Sequence, residues 1–259
     1  MNISKKINIS IEARTSSKRL PKKVLKKLKD MPMLELLTSK CKKSKLIDNI
    51  IISTTTNQED DEIVDLCKKL EVKSYRGSNL DVLGRVCETH IKYKSDIVVE
   101  LTGDNPLQDP DIIDYCIEEF LKSNVDFLNN GALDDTRSYP DGMDVAVFSL
   151  NTLLDAEKKT RDYENAIKIS KIKKVLKNSY QNDQNRFREH VILFMKTSGI
   201  YSTKCVHPKD ESLRRPELSF TVDTPRDFKF INKIVEKFDN LDFSLKDIIK
   251  VVDKYKIIH

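Results

Sequence analysis

The stretch Ile7-Asn-Ile-Ser-Ile-Glu-Ala-Arg-Thr-Ser-Ser-Lys-Arg-Leu-Pro-Lys-Lys-Val-Leu25 starts as an alternating apolar segment and passes at once into a small, polar, cationic loop. Ile7 to Ala13 reads as a first β-strand. Arg14, Lys18, Arg19 and Lys23 crowd the loop that follows. A loop at the carboxyl end of a strand suits a polyphosphate, because backbone N–H groups and fixed cations can share its charge. A solvated basic loop has the same composition, so other residues must decide between the two. In the strand itself, Ile7, Ile9 and Ile11 alternate with Asn8, Ser10 and Glu12, whereas a strand buried on both faces is apolar throughout. Either one face is exposed or the polar face lines a ligand cleft, and the cleft is the expectation.

Outward from this run, apolar segments alternate with helical patterns, which predicts an α/β sandwich with a largely parallel sheet. A helix is expected around Met33 to Ser44, a strand at Asn49 to Thr54, and a helix at Glu59 to Leu70 with Ile63, Leu66, Cys67 and Leu70 on one face. A strand at Val72 to Arg76, a helix near Leu80 to Tyr93 and a central strand at Asp96 to Thr102 follow. Asp109-Pro110 starts another helix, with proline in the first turn. Tyr139 to Phe148 reads as a loop feeding a strand. The lysine-rich segment from about 156 to 186 lacks glycine and proline and is expected to be helical. Leu218 to Val222 reads as a strand, and helices are expected from Pro225 to Phe238 and from Ser244 to Tyr255.

Composition narrows the function classes. At 259 residues, with 39% hydrophobic and 34% charged side chains, the chain has the make-up of a globular protein of one or two domains. It holds no run of about 18 apolar residues, so no membrane span is expected. Its first residues lack the apolar core and cleavage site of a signal peptide, which makes a cytoplasmic location the default. The five cysteines are scattered without a Cys-x-x-Cys pair, which disfavours a zinc site or a disulfide framework. The net charge of +5 is spread along the chain, and no concentrated basic footprint for nucleic acid stands out. A small anionic ligand accounts for it equally well.

Two further segments end strands on carboxylates. Gly103 and Asp104 directly follow the central strand, where ligands of open α/β sheets sit. Glycine there admits a ligand to the backbone and the carboxylate can hold a divalent cation, although Gly-Asp-Asn-Pro is also good turn chemistry. Asp223, before Thr224-Pro225, repeats the arrangement, with a helix N-cap as the plain alternative. Together Asp104 and Asp223 could share one Mg²⁺ completed by phosphate oxygens and water.

At this point the residues resemble a family. Ala13-Arg-Thr-Ser-Ser-Lys-Arg-Leu-Pro-Lys-Lys-Val-Leu25 is similar to the A-R-x-x-S-x-R-L-P-x-K-x-L signature of the sugar-acid cytidylyltransferases, which make CMP-activated sugars such as CMP-Kdo and CMP-sialic acid. The match is closest to the spore-coat polysaccharide biosynthesis branch. It continues through Arg76-Gly-Ser-Asn-Leu-Asp-Val-Leu-Gly-Arg85, Thr102-Gly-Asp-Asn-Pro-Leu-Gln-Asp-Pro110 and Tyr139-Pro-Asp-Gly-Met-Asp-Val-Ala-Val-Phe148. Arg188-Glu-His-Val191 and Val222-Asp-Thr-Pro-Arg-Asp-Phe228 complete it, in order along the chain.

The resemblance implies a three-layer Rossmann-like nucleotidyltransferase fold with a mostly parallel mixed sheet, a single domain over 1–259, and CTP as substrate. It places Ala13, Arg14, Ser17, Lys23, Arg76, Arg85, Thr102 and Gly103 at the nucleotide, with Arg14, Lys23, Asp104 and Asp223 as the catalytic set and Mg²⁺ on the two aspartates. Tyr139, Asp141, Asp144, Arg188, Glu189 and His190 would line the acceptor side. His190 is the general-base candidate on chemistry, with a structural histidine as its alternative. The chain departs from the family at Lys22, where glycine is usual, and at Glu12, where glutamine or proline is usual and where a carboxylate could repel the nucleotide. The basic segment 156–186 looks like an insertion, in a region through which related enzymes form homodimers. A phosphate or phosphonate acceptor giving a CDP-linked product remains open within the class. A nucleotide-sugar glycosyltransferase is disfavoured because Asp104-Asn-Pro lacks the second aspartate of an Asp-x-Asp motif, and a nucleotide-binding subunit without turnover is disfavoured by retention of both aspartates and the loop cations.

Overall fold

The first strand, β1 (Ile7–Glu12), lies inside a seven-stranded sheet, paired with a parallel strand along each edge. The computed structural model describes residues 5–131, 137–165 and 186–257. The other strands are β2 (Asn49–Thr55), β3 (Lys73–Gly77), β4 (Ile97–Thr102), β5 (Phe127–Asn129), β6 (Ala146–Ser149) and β7 (Thr203–Cys205), in the spatial order β3-β2-β1-β4-β6-β5-β7. β3, β2, β1 and β4 run parallel, β6 is antiparallel to both β4 and β5, and β7 is parallel to β5. The sheet is therefore mixed and mostly parallel, flanked by helices, as expected.

The helices are α1 (Met33–Cys41), α2 (Asp61–Lys69), α3 (Val82–Lys92), α4 (Pro110–Lys122), α5 (Leu150–Asn165), α6 (Arg186–Glu189), α7 (Leu193–Thr197), α8 (Pro225–Val235) and α9 (Leu245–Tyr255). Their starts follow local chemistry. Asp109 caps α4 ahead of Pro110, and capping boxes pair Thr224 with Asp227 at α8 and Ser244 with Asp247 at α9. The larger core joins Ile7, Ile9, Ile11, Ile97, Val99 and Leu101 to helices α1, α4, α8 and α9. A second core on the other face joins Val98, Phe127 and Phe148 to α3, α5, α6 and α7.

The structure corrects several expectations. The polar face of β1 is not an open cleft: Asn8 and Ser10 are buried, and Asn8 donates to the Ser95 hydroxyl at 2.7 Å while His90 of α3 meets the same hydroxyl at 2.8 Å. Glu12, at the strand's end, lines a cavity. Leu218 to Val222 is not a strand. Its N–H and C=O groups pair with single residues of two loops, through Asp141 N to Leu218 O at 2.9 Å, Phe220 N to Asp141 O at 2.8 Å and Val222 N to Asp104 O at 2.9 Å. Of the expected basic helical insertion, Ala156 to Asn165 belongs to α5, and 166–185 lies outside the described residues.

Candidate active site

The loop after β1 is fixed from below by a buried carboxylate. Asp60 accepts from Thr15 N and Thr15 Oγ1, both at 2.7 Å, and from the Thr55 hydroxyl. Thr15 O in turn accepts from Ser17 N and Lys22 N at 2.9 Å, which closes the loop on itself. Lys22 adopts the left-handed conformation, φ 54° and ψ 30°, which explains why a glycine suits this position, and its ammonium pairs with Glu62. The turn Lys23–Leu25 follows, with Val24 buried.

From that turn Lys23 Nζ reaches Asp104 Oδ2 at 2.8 Å, Asp223 Oδ1 at 3.0 Å and Val222 O at 3.1 Å. Arg19 Nη2 lies 2.9 Å from the other oxygen of Asp223. Gly103 N donates to Glu12 O at 2.9 Å, and a Cβ on Gly103 would come within 2.7 Å of that oxygen, so the close approach of β4's end to β1 requires glycine. Asp223 is not the cap of α8. Thr224 holds that role, and Asp227 Oδ2 accepts the N–H groups of Asp223 and Thr224 at 2.9 and 2.7 Å, leaving the Asp223 carboxylate for the cations. Among the described residues no group of three or more His, Cys, Asp or Glu could hold a metal. Two partly exposed carboxylates that already share one cation do fit a hard divalent ion whose remaining ligands are phosphate oxygens and water.

Beside this cluster lies a cavity of about 250 Å³ floored by Glu12, Glu100, Ala146 and Asn129. Burial, then the neighbouring Glu100, pushes the Glu12 carboxyl well above the usual carboxylate range, and burial also raises Glu100. Asp144 accepts from Arg137 Nη1 at 2.8 Å and Nη2 at 3.2 Å, yet burial raises its carboxyl too. Burial lowers the Lys196 ammonium, against the pull of Asp144. His190, Glu189 and Thr102 complete the mouth.

The expected site residues divide into those the structure brings together and those it uses elsewhere. Ala13, Ser17, Lys23, Gly103, Asp104 and Asp223 surround the loop. Arg14 bridges loop and cavity, its Nη1 donating to Asn79 Oδ1 at 3.1 Å and its Nη2 3.8 Å from Glu189. Asp144, Glu189 and His190 line the cavity, and Asp141 sits behind it, 3.4 Å from Arg137 and accepting from Ser219 Oγ at 3.1 Å. Arg85 is buried, donating to Ser78 O at 2.5 Å and Ser53 Oγ at 3.3 Å, and so supports the loop before α3 from beneath. Arg76 is held by Thr55 O and Asn57 O, each at 2.8 Å, and by Asp61. Arg188 is not turned to an acceptor: it pairs with Glu157 of α5 at 2.8 Å and with Asp81, the cap of α3, at 3.3 Å. Tyr139 is buried on the wall of a separate groove beside Tyr115 and Asp109. Glu12 points into the cavity rather than at the phosphate loop.

Glu100, Asn129, Arg137 and Lys196 are the residues that sequence reading missed. A charged side chain inside the apolar run Val98-Val-Glu-Leu101 was a readable signal for Glu100; the other three carried none.

The chain is similar to known proteins over nearly its whole length. A family profile described as cytidylyltransferase matches residues 9–248. An uncharacterised protein of Methanocaldococcus jannaschii is 36% identical over 245 residues, covering 94% of this chain and 89% of the relative. The spore coat polysaccharide biosynthesis protein SpsF of Bacillus subtilis is 26% identical over 250 residues, covering 94% and 92%. The structure of a cytidylyltransferase from Leptospira borgpetersenii superposes with a TM-score of 0.82 at 26% identity, covering 97% of this chain and 95% of the other. With a profile that matches residues 9–248 of its 259, this chain belongs to the cytidylyltransferase family.

Proposed function

We propose that the protein transfers CMP from CTP to a hydroxyl of a sugar acid, with release of pyrophosphate, in the synthesis of a surface polysaccharide or glycan. The observation that carries this reading is the convergence of Lys23, Asp104 and Asp223 beside a loop rich in cations. An acceptor oxygen forms a bond to the α-phosphorus while the bond from that phosphorus to the bridging oxygen breaks. The proton of the acceptor hydroxyl passes to a base, for which His190 at the cavity mouth is the candidate. The chain's task is positioning and charge neutralisation. Arg14, Arg19 and Lys23 bind the triphosphate, and Gly103 lets it approach the backbone. Asp104 and Asp223 would hold Mg²⁺, which when bound supplies neutralisation of phosphate charge and acidification of a coordinated oxygen.

No helix among the described residues is long and apolar enough to cross a membrane. A cytoplasmic homodimer is the assembly expected for the reaction. The test is pyrophosphate release from each nucleoside triphosphate, with Mg²⁺ and a panel of sugar acids. CTP should be preferred, and Asp104→Asn and Asp223→Asn should each lose on the order of 100-fold or more in turnover. Full activity in either variant refutes the assignment.

A further inference from the structure

Four buried polar atoms of the cavity, Glu12 Oε1 and Oε2 and Asn129 Nδ2 and Oδ1, lack a hydrogen-bond donor or acceptor in the protein among the described residues. From them we infer that the acceptor sets hydrogen-bonding hydroxyl or amino groups against Glu12, Glu100 and Asn129, and turns its acid group away from this floor. The inference rests on the transfer reading above and specifies which side of the acceptor is read, and by what.

The register of the sheet builds the floor. Glu100 of β4 stands opposite Ala146 of β6, and Asn129 of β5 stands opposite Ala146 from the other side, so the three share one face. Glu100 is also opposite Ser10, two residues before Glu12 on the same face of β1. The result is a row across adjacent strands with two carboxyl groups at one end, an amide at the other and a methyl between them. Ala146 leaves the space that makes this row a cavity. Below it, on the same face, Val98, Phe148 and Phe127 form a buried apolar row.

An unpaired buried polar atom costs about 1–3 kcal/mol, and most proteins leave few of them. Asn129 is only 3% exposed, and its whole amide is unpaired. Ser10 and Glu100 are the polar neighbours of the Glu12 carboxyl, and neither meets its oxygens in regular hydrogen-bond geometry. Arg85 of α3 attracts Glu12 from below while its own N–H groups go to Ser53 and Ser78. From the other elements Asp144, Arg137, Lys196, Glu189 and His190 face the cavity. An acid group on the floor would confront the carboxyl pair, whereas hydroxyl groups can donate to the Glu12 oxygens and to Asn129 Oδ1 and accept from Asn129 Nδ2, and an amino group can donate to the oxygens.

The test is calorimetric titration of the full chain, with Mg²⁺ and a non-reacting CTP analogue. The probes are free octulosonic and nonulosonic acids, each with analogues that replace one hydroxyl by hydrogen or by an amino group. In the wild type, deleting the hydroxyl that meets the floor should weaken binding roughly tenfold. The same deletion should cost little in Glu12→Gln or Asn129→Leu, which shows the coupling directly. An amino group in place of that hydroxyl should bind better than hydrogen, and Glu12→Gln should erase most of the gain. Ala146→Leu should abolish acceptor binding and leave binding of the CTP analogue intact. Equal deletion costs in wild type and both variants, or binding of the analogue with none of the acids, overturns the inference. Failure to bind the CTP analogue overturns the transfer reading instead.

Discussion

Lys23 donates to Asp104 across 2.8 Å, and the same ammonium holds Asp223 at 3.0 Å, so the chain neutralises its own pair of strand-end carboxylates. The side chains are 14%, 24% and 35% exposed, which discounts the pairing for solvent screening. Lys23→Met should therefore destabilise the protein by only about 1–2 kcal/mol. Mg²⁺ should raise the melting temperature more in this variant than in the wild type, because the metal then replaces the missing cation. Turnover should fall on the order of 100-fold, because a charge that stabilises the transferring phosphate is gone. A variant whose melting temperature responds to Mg²⁺ no more than the wild type's would rule out a shared cation site.

Lys22 carries a backbone cost. A non-glycine residue in the left-handed region costs roughly 1–2 kcal/mol, offset in part by a smaller loss of chain entropy on folding. The exposed pair with Glu62 contributes little. Lys22→Gly should leave stability unchanged or raise it by up to about 1 kcal/mol, and Lys22→Val should lower it by about 1–2 kcal/mol. Denaturant midpoints of the three proteins settle the order, and equal midpoints for the glycine and valine variants would contradict the strained loop.

Most strands and helices were legible because each carries its own period and its own caps. Asp109-Pro110 and Thr224-Pro225 mark helix starts by chemistry that no packing has to supply. What covers a polar face is not local. Asn8 and Ser10 looked like cleft residues, and α3 covers that face, with His90 and Ser95 in hydrogen-bonding positions. Leu218 to Val222 has the composition of a strand, but its partners are Asp141 and Asp104 rather than a neighbouring strand. In the site, Lys23, Asp104 and Asp223 were readable as types at strand and loop ends. Arg137 comes from an irregular stretch and Lys196 from a five-residue helix too short to show a period, so neither sequence says which way the side chain points, and Arg188 shows that belonging to a motif does not fix direction either.

Arg188 is a test of that last distinction. It is 11% exposed and clamps Asp81, at the start of α3, to Glu157 of α5. Arg188→Met should destabilise the protein by about 1–2 kcal/mol, because Asp81 and Glu157 lose a shared cation while Glu157 keeps its pair with Arg161. The Michaelis constant for the acceptor should change less than about threefold in the protein that remains folded, since no acceptor contact is lost. A stable variant with a greatly raised acceptor constant would instead return Arg188 to the acceptor site.

The carboxyl pair on the cavity floor predicts the direction in which pH acts on stability. Burial and the proximity of Glu100 raise the Glu12 carboxyl well above its value in the unfolded chain, and burial raises Glu100. The folded protein therefore binds more protons than the unfolded one between the ordinary glutamate range and the raised value. Stability from these groups is fully present below that ordinary range and is lost as pH rises through the raised folded value. Glu12→Gln keeps the shape, removes one titrating group and relieves the repulsion on its neighbour, so its stability should fall less steeply from mildly acidic to mildly alkaline pH. Denaturant unfolding of both proteins across that range measures the difference in slope. Parallel curves would mean that Glu12 is ionised in the folded protein as freely as in the unfolded one, and that water reaches the floor of the cavity.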